Sequence, residues 1–290
     1  MKFLSYEEEK KLTNSELLEY YKKIQKEFNK PILNPADKGR QIFHPIYKNI
    51  VKSMRNFDLT IDGKIELLKN QPAIFVVNHS NSHDFPIAAE IIKRHFYILA
   101  DFTMKKTWVN IPNELNGVIY VDRLNKKSKL EAKEQMIKLL LNGKNVLLFP
   151  EGTWNLTPSK PLLPLNWGAI DLAKITNCPI VPIVIDYRYN ESTNKLECNS
   201  KIGKPIYMHY YSDKQQELYK LEEIMATLKW SIWEKLGEEK RDKIDIDYHN
   251  KYINFCLNEY KNFDLEYENS VILDSSLDKQ KFKSKTLFNR

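Results

Sequence analysis

The chain has 290 residues and carries 45 Lys and Arg against 38 Asp and Glu, which gives a formal net charge of +7. Hydrophobic residues at 42% and aromatic residues at 12% exclude disorder over most of its length. Three cysteines without a Cys-x-x-Cys spacing indicate a reducing compartment. The N-terminus has no apolar signal core, and no stretch approaches the ~18 apolar residues that would span a bilayer. We therefore expect neither a signal peptide nor an integral membrane protein.

Two helices are predicted at the N-terminus. Residues 13–16 are typical of a helix start, and apolar residues follow at helical spacing: Leu17, Tyr21, Ile24 and Phe28. A second helix is expected after Pro45. The stretch from 40 to 57 contains no acidic residue and four basic ones, Arg40, Lys48, Lys52 and Arg55. Its apolar residues share a common face: Ile46, Ile50, Val51 and Met54. Such a helix suits anionic lipid head groups, and it equally fits a helix that only packs on the next domain.

A histidine and an aspartate follow the first strongly apolar run. Ala73–Val77 predicts a buried strand, and His79 and Asp84 come directly after it, five positions apart. An imidazole can take a proton near neutral pH, and a carboxylate within reach can fix its tautomer. The pair is therefore a candidate general base with its orienting partner, although a polar turn without chemistry would use the same residues.

Two later apolar runs also end in polar residues. Val118–Val121 precedes Asp122 and Arg123, and Val146–Phe149 precedes the loop at 150–153. In open α/β sheets, ligands bind outside the carboxyl ends of the strands. We therefore expect the three strand ends to converge on one cleft.

The segments between these runs alternate between helix and strand patterns. Helices are predicted over 87–94 and 167–176. A further helix is predicted from a capping box at Ser128 and Glu131 to a stop at Gly143. Strands are predicted over 96–100 and 180–187. A long helix over 215–236 follows, and the chain becomes highly polar after it. The predicted fold class is α/β, a mixed sheet covered by helices, with an N-terminal helical pair and a C-terminal helical extension. The pattern leaves the strand order open.

Four motifs, taken in order, resemble those of a known family. His79-x4-Asp84, the run from Gly117 to Arg123, the run from Phe149 to Thr153, and Val181-Pro182-Ile183 resemble the four blocks of the glycerolipid acyltransferases, typified by 1-acylglycerol-3-phosphate acyltransferase. The resemblance covers about residues 57 to 210. The first and third blocks are fairly specific, whereas a Val-Pro-Ile triplet by itself means little.

The resemblance implies acyl transfer from a thioester, acyl-CoA or acyl-carrier protein, to the hydroxyl of a lysophospholipid, with 1-acylglycerol 3-phosphate as the leading acceptor. In such enzymes the residue matching His79 deprotonates the hydroxyl, which attacks the thioester directly, and the residue matching Asp84 holds the histidine. No acyl-enzyme is expected, since the chain has no Gly-x-Ser-x-Gly elbow and its cysteines lie outside the blocks.

The resemblance also places the acceptor at Arg123, Glu151, Gly152 and Thr153. A guanidinium can grip a phosphate through two parallel hydrogen bonds, and glycine lets the backbone approach a ligand closely. Arg123 also fits a solvated charge in a basic stretch. Glu151 also fits a structural acceptor of backbone N–H groups.

The third block departs from the family pattern after its threonine. Many members have an arginine there, whereas this chain has Trp154, which removes one expected phosphate contact. Lys160, Lys105 or Lys106 could supply the missing cation, or the acceptor could carry a different head group. Transfer to another lysolipid or an amino-lipid, and a non-catalytic lipid-binding protein, therefore stay as alternatives.

A metal site is a weaker alternative. His79, His83 and Asp84 have the spacing of ligands on one helical face, but zinc hydrolases need at least three ligands and no second cluster of His, Cys and carboxylate appears. We expect no metal. We also expect no cofactor beyond the acyl-CoA or acyl-carrier protein co-substrate, since the chain has no Gly-x-Gly-x-x-Gly and no P-loop.

The partners expected from these patterns are a lysophospholipid, the acyl donor and a membrane surface. Nucleic acid is not expected, because no nucleic-acid-binding motif appears. The predicted location is cytoplasmic, peripheral on the inner face of the membrane. The predicted division is a helical, membrane-docking module over 1–56, a catalytic domain over 57–212, and a helical extension with a polar tail over 213–290.

Overall fold

A seven-stranded sheet runs through the protein. The computed structural model describes residues 3–31, 36–54, 58–103, 111–156, 160–190, 195–237 and 254. The strands are β1 (Asp58–Asp62), β2 (Ile74–Val77), β3 (Phe96–Asp101), β4 (Val118–Val121), β5 (Asn145–Leu148), β6 (Ile180–Asn190) and β7 (Lys195–Ile202). They lie in the order β1-β7-β6-β2-β5-β3-β4, and each neighbouring pair is parallel except the antiparallel pair β6 and β7.

The central strand β2 is buried on both faces. Ile74 and Val76 belong to one core cluster, whereas Phe75 and Val77 belong to the other. Successive side chains of a strand point to opposite faces, so a strand between two cores must be apolar at every position. This is why β2 reads as a continuous apolar run.

Helices cover both faces of the sheet. They are α1 (Tyr6–Glu9), α2 (Asn14–Phe28), α3 (Ala36–Met54), α4 (Asp84–Ile92), α5 (Ile111–Asn116), α6 (Lys126–Leu141), α7 (Gly168–Thr176) and α8 (Lys214–Lys235). One core cluster contains residues of α2, α6, α7 and α8, and the other contains residues of α3 and α4. Among the described helices, none combines the length and the apolar character needed to cross a membrane.

The predicted fold class is confirmed, and three helix starts were wrong. Helix α4 begins at Asp84, three residues before the predicted start at 87. Helix α3 begins at Ala36 and contains Pro45, because the buried His44 and Tyr47 on either side of the proline hold both halves of the helix against the domain. Helix α6 is capped by Asn125, whose side chain accepts from the backbone of the first turn. The Ser128 hydroxyl instead accepts from the backbone N–H of Asp122.

Strands β1 and β7 had no counterpart in the sequence interpretation. Strand β1 is largely exposed, so it lacks the apolar run that marks an interior strand. The proposed domain boundaries stay a prediction. Apolar residues of α2 and α8 do share one core cluster with the sheet. The polar tail, including Cys256, lies outside the described residues apart from position 254.

A buried ion cluster joins the N-terminus to three other helices. Asp171 of α7 pairs with Lys133 of α6 at 2.5 Å and with Lys214 of α8 at 2.6 Å, and Lys214 also pairs with Glu9 of α1 at 2.5 Å. Burial alone would raise the pKa of Asp171, but the two lysine cations outweigh burial and lower it to about 2. The folded state therefore favours the carboxylate more strongly than the unfolded chain does.

This cluster predicts an acid limb in the stability of the protein, that is, a range of low pH over which the free energy of unfolding decreases. The pKa of Asp171 lies below its ordinary 3.8, so its contribution is present above about pH 4 and is lost as the pH falls through about 2. The shift corresponds to about 2 kcal/mol. Asp171→Asn should remove this stabilisation at pH 7 and flatten the acid limb, whereas Asp58→Asn on the exposed β1 should not. Urea unfolding between pH 2 and pH 7 measures both, and an acid limb unchanged in Asp171→Asn would contradict the prediction.

Candidate active site

Four neighbouring parallel strands bring polar residues to one edge of the sheet. In the sheet order β2, β5, β3, β4, His79 follows β2, Glu151 follows β5, Asp101 ends β3, and Arg123 follows β4. Carboxyl ends of parallel strands lie at the same edge. The expected convergence of the three predicted strand ends is therefore what the structure shows, and Asp101 is an addition to them.

His79 and Asp84 form a hydrogen-bonded pair. The imidazole Nδ1 lies 2.7 Å from Oδ2 of Asp84, whose side chain is fully buried while that of His79 is 21% exposed. The same carboxylate accepts from the backbone N–H groups of Ser80 and Asn81, and its Oδ1 accepts from the Tyr187 hydroxyl at 2.6 Å. A buried carboxylate with this many donors is held in a single orientation.

Local structure explains the five-residue spacing of the pair. Strand β2 ends at Val77, and the side chain of Asn78 bonds both the N–H and the C=O of Ile185 on β6, which fixes the strand end. The turn then leads into α4, which begins at Asp84. The carboxylate thus lies in the first turn of a helix, where free backbone N–H groups stabilise negative charge.

The other side of the imidazole contacts two aromatic residues. Phe149 stacks on the His79 ring with centroids 4.1 Å apart and an interplanar angle of 12°. The indole Nε1–H of Trp154 donates to Nε2 of His79 at 3.0 Å. An indole nitrogen is a donor only, so Nε2 accepts and the ring proton of the neutral imidazole lies on Nδ1, facing Asp84. This is the tautomer that a base acting through Nε2 requires.

Glu151 is buried and accepts two backbone hydrogen bonds. Its Oε1 accepts from the N–H of His79 at 2.8 Å and its Oε2 from the N–H of Leu163 at 2.6 Å. Burial raises the pKa of Glu151 to about 8, whereas the two backbone donors and the Lys229 cation favour the carboxylate. These contacts match the alternative of a structural acceptor, because Glu151 holds the backbone of His79.

Arg123 bridges β3 and the Glu151 loop. Its Nε donates to the carboxylate of Asp101, and its Nη1 donates to the backbone carbonyl of Gly152 at 2.6 Å. Gly152 has φ +77°, and a Cβ there would lie 3.1 Å from Nδ2 of Asn166. Glycine is required here because the left-handed backbone and the close neighbour both disfavour a side chain. Arg123 is therefore a partly buried, oriented cation and not a solvated charge.

Thr153 carries a polar atom without a partner. Its residue is 3% exposed, and its Oγ1 has no hydrogen-bond partner among the described residues. A buried hydroxyl without a partner carries a free-energy cost that a ligand could remove. Of the lysines considered as replacement cations, Lys160 contacts the loop through its backbone carbonyl, which accepts from the Asn155 side chain. Lys105 and Lys106 lie outside the described residues.

His79 and His83 do not form part of a metal-ligand cluster among the described residues. Nδ1 of His79 is directed at Asp84, and His83 is the residue before α4. Within the described ranges, no group of three or more His, Cys, Asp or Glu residues could hold a metal ion.

A family model described as Acyltransferase matches residues 58–186. This stretch includes His79, Asp84, Arg123 and Glu151. Residues 58–186 are thus similar to the acyltransferase family. The chain is also similar to a 1-acyl-sn-glycerol-3-phosphate acyltransferase of Saccharomyces cerevisiae, at 27% identity over 48% of this chain and 46% of that protein. The protein of the same name from Borreliella burgdorferi is 27% identical over 61% of this chain and 71% of its own length. The chain spans about half the length of several of the relatives that it matches, including the protein of Saccharomyces cerevisiae.

The fold has a solved counterpart. A crystal structure of the 1-acyl-sn-glycerophosphate (LPA) acyltransferase PlsC from Thermotoga maritima has a TM-score of 0.55. The two sequences are 19% identical, and the match covers 78% of this chain and 97% of the PlsC chain. At this identity the likeness shows that the two proteins share a fold.

Sequence reasoning named six site residues and missed several that hold them. The structure brings His79, Asp84, Arg123 and the 151–153 loop to one edge, while their chemical roles stay predictions. Tyr187, Asp101 and Phe149 were not named for the site. Their partners are Asp84, Arg123 and His79, respectively. The two members of each pair are far apart along the chain, so no local motif indicates the contact. The apolar run before Pro150 did include Phe149, but nothing in that pattern distinguished stacking from core packing.

The contact between Tyr187 and Asp84 predicts a stability effect. Tyr187→Phe leaves the ring packed but removes a hydrogen bond to a buried carboxylate, so the free energy of unfolding should fall by about 1.5–3 kcal/mol. Tyr211→Phe is the matched control, since Tyr211 is 60% exposed. Urea unfolding at pH 7 measures both variants. Equal stability of Tyr187→Phe and the unmodified protein would show that Asp84 does not depend on this donor.

Proposed function

We propose that this protein transfers a fatty acyl group from a thioester donor, acyl-CoA or acyl-carrier protein, to the hydroxyl of a lysophospholipid. The observation that carries the proposal is the orientation of His79, whose Nδ1 faces Asp84 and whose Nε2 is the hydrogen-bond acceptor. The names of the relatives support a 1-acylglycerol 3-phosphate acceptor. Both the donor and the acceptor are part of the proposal.

The proposed step requires a base and no covalent intermediate. The acceptor hydroxyl gives its proton to Nε2 of His79 while its oxygen bonds to the thioester carbonyl carbon. The C–S bond then breaks, and the thiolate leaves with the proton that the imidazole returns. Asp84 stabilises the imidazolium formed between these transfers, and its own donors from Ser80, Asn81 and Tyr187 keep it in place.

The acceptor head group is assigned to the loop that Arg123 holds. Arg123 is fixed on Asp101 and on the carbonyl of Gly152, and the neighbouring Thr153 has a buried hydroxyl with no partner in the described structure. One cation and one hydroxyl next to the base suit a phosphate or a phosphodiester. Because Trp154 stands where many members have an arginine, the proposal includes other lysolipids as acceptors.

Purified protein should convert at least one lysolipid in a panel offered with acyl-CoA and with acyl-carrier protein. His79→Ala should lower the rate by about 10²–10⁴, the factor that a positioned base is worth. His209→Ala is the control, since His209 is exposed and its ring stacks on Tyr211. Release of the free thiol measures turnover. No turnover by the unmodified protein with any pair would favour the lipid-binding alternative over an enzyme.

The approach to the membrane is assigned to α3 and to the rim of the site. Three isoleucines one helical turn apart are exposed on α3, with fractions of 72% for Ile42, 53% for Ile46 and 38% for Ile50. Lys38 and Lys52 are exposed on the same helix, which adds positive charge. Val51 and Met54 belong to the predicted face, but their side chains lie outside the described set, as does Arg55. An exposed apolar row with basic residues suits the surface of an anionic bilayer.

Two more exposed apolar residues lie next to the head-group residues. Phe102 follows Asp101 and is 48% exposed, and Leu124 follows Arg123 and is 64% exposed. A cation with apolar neighbours at the surface matches a lipid, which presents its polar head and its chain together. We therefore place the open edge of the sheet against the inner face of the cytoplasmic membrane.

Charges introduced on α3 should weaken membrane binding. Ile42→Glu with Ile46→Glu should lower sedimentation with phosphatidylglycerol-containing vesicles by about tenfold or more, because apolar burial is replaced by like charge at an anionic surface. Ile61→Glu on β1 is the matched control, since Ile61 is 41% exposed. Point variants are preferable to deleting residues 1–56, because Tyr21 and Ile24 of α2 are fully buried. Undiminished sedimentation of the double variant would remove α3 from the membrane model.

A further inference from the structure

Trp154 is bonded to the atom that the proposed mechanism uses. Its Nε1–H donates to Nε2 of His79 at 3.0 Å, and the two rings meet edge-on with an interplanar angle of 81°. Nδ1 of the imidazole is bound to Asp84 at 2.7 Å, so Nε2 carries the in-plane lone pair that can take a proton. In this arrangement that lone pair is directed at the indole.

An indole N–H cannot pass a proton on. It is a donor without an acceptor lone pair, in contrast to a hydroxyl or an imidazole. An alcohol that is to be deprotonated by Nε2 must lie in hydrogen-bond contact with it. The alcohol must therefore take the place of the Trp154 N–H.

The backbone on both sides of Trp154 is held, so the indole itself has to move. Glu151, three residues earlier, accepts from the N–H groups of His79 and Leu163. The N–H of Asn155 donates to the carbonyl of His79 at 2.7 Å, and its side chain donates to the carbonyl of Lys160 at 3.0 Å. Rotation about the side-chain bonds of Trp154 leaves all four hydrogen bonds intact, whereas a loop movement would break them.

One face of the imidazole is covered as well. Phe149 stacks on one face at 4.1 Å between centroids, and Trp154 is itself 8% exposed. A water molecule that approaches Nε2 thus meets the indole first. Water has no head group or acyl chain with which to offset the loss of the indole hydrogen bond, whereas a lysolipid has both.

We propose that Trp154 is a gate on the base, an inference that rests on the proposed acyl transfer. The indole occupies Nε2 of His79 while the acceptor site is empty, and it turns aside when the acceptor hydroxyl binds. Without the gate, Nε2 would activate water. The water oxygen would bond to the thioester carbonyl carbon, the C–S bond would break, and the thiolate would leave with the proton, which releases a fatty acid without acyl transfer. Trp154 is thus a positioning residue that sets the preference for an alcohol over water.

Trp154→Phe tests the gate, because it keeps an aromatic ring and removes the N–H donor. Hydrolysis of acyl-CoA in the absence of acceptor should rise by about three- to tenfold, the factor that one net hydrogen bond is worth. The KM for the acceptor should fall by a similar factor with kcat little changed, because the hydroxyl no longer competes with the indole. Trp230→Phe is the matched control on α8, where the indole packs against Trp233. Unchanged hydrolysis, or a lower kcat with unchanged hydrolysis, would overturn the gate.

The indole can also be observed without turnover. The ¹⁵N–¹H signal of Trp154 is identified by its loss in Trp154→Phe, and adding 1-acylglycerol 3-phosphate without a donor should shift it. A signal that stays in place at every acceptor concentration would overturn the gate. Absence of turnover in the unmodified protein would overturn the proposed function instead, so the two failures can be distinguished.

Discussion

The buried carboxylate of Asp84 is the interaction on which the site depends. It accepts from an imidazole, two backbone N–H groups and a tyrosine hydroxyl, and these donors come from the turn after β2 and from β6. A carboxylate without solvent must be fully bonded, because an unsatisfied buried charge is costly. The orientation of His79 is therefore tied to the packing of the sheet and does not rest on a loop alone.

Two buried carboxyl groups hold His79, one through its ring and the other through its backbone. Asp84 bonds the imidazole, whereas Glu151 bonds the backbone N–H of His79 and that of Leu163. The Glu151 loop continues through Gly152, which Arg123 holds, to Trp154, which reaches back to Nε2. His79, Arg123 and Trp154 therefore belong to one connected set of hydrogen bonds.

The N-terminal helices have different environments. Helix α2 buries Tyr21 and Ile24 in the same core cluster as the sheet, and the adjacent ion cluster around Asp171 and Lys214 attaches α1 as well. Helix α3 buries Tyr47 but leaves Ile42 and Ile46 exposed. Helix α3 thus carries an exposed apolar row, although none of the described helices could cross a bilayer.

The class of the fold and the candidate residues of the site could be predicted from the sequence. Strands such as β2 are marked by short apolar runs, and the polar residues His79, Arg123 and Glu151 follow three such runs. Those signals are local, so one sequence is enough to reveal them. The sequence did not reveal the strand order, the hydrogen bond from Tyr187 to Asp84, or the contact of Trp154 with His79. Their partners are 103 and 75 residues apart along the chain, and such pairs meet only when the sheet has assembled.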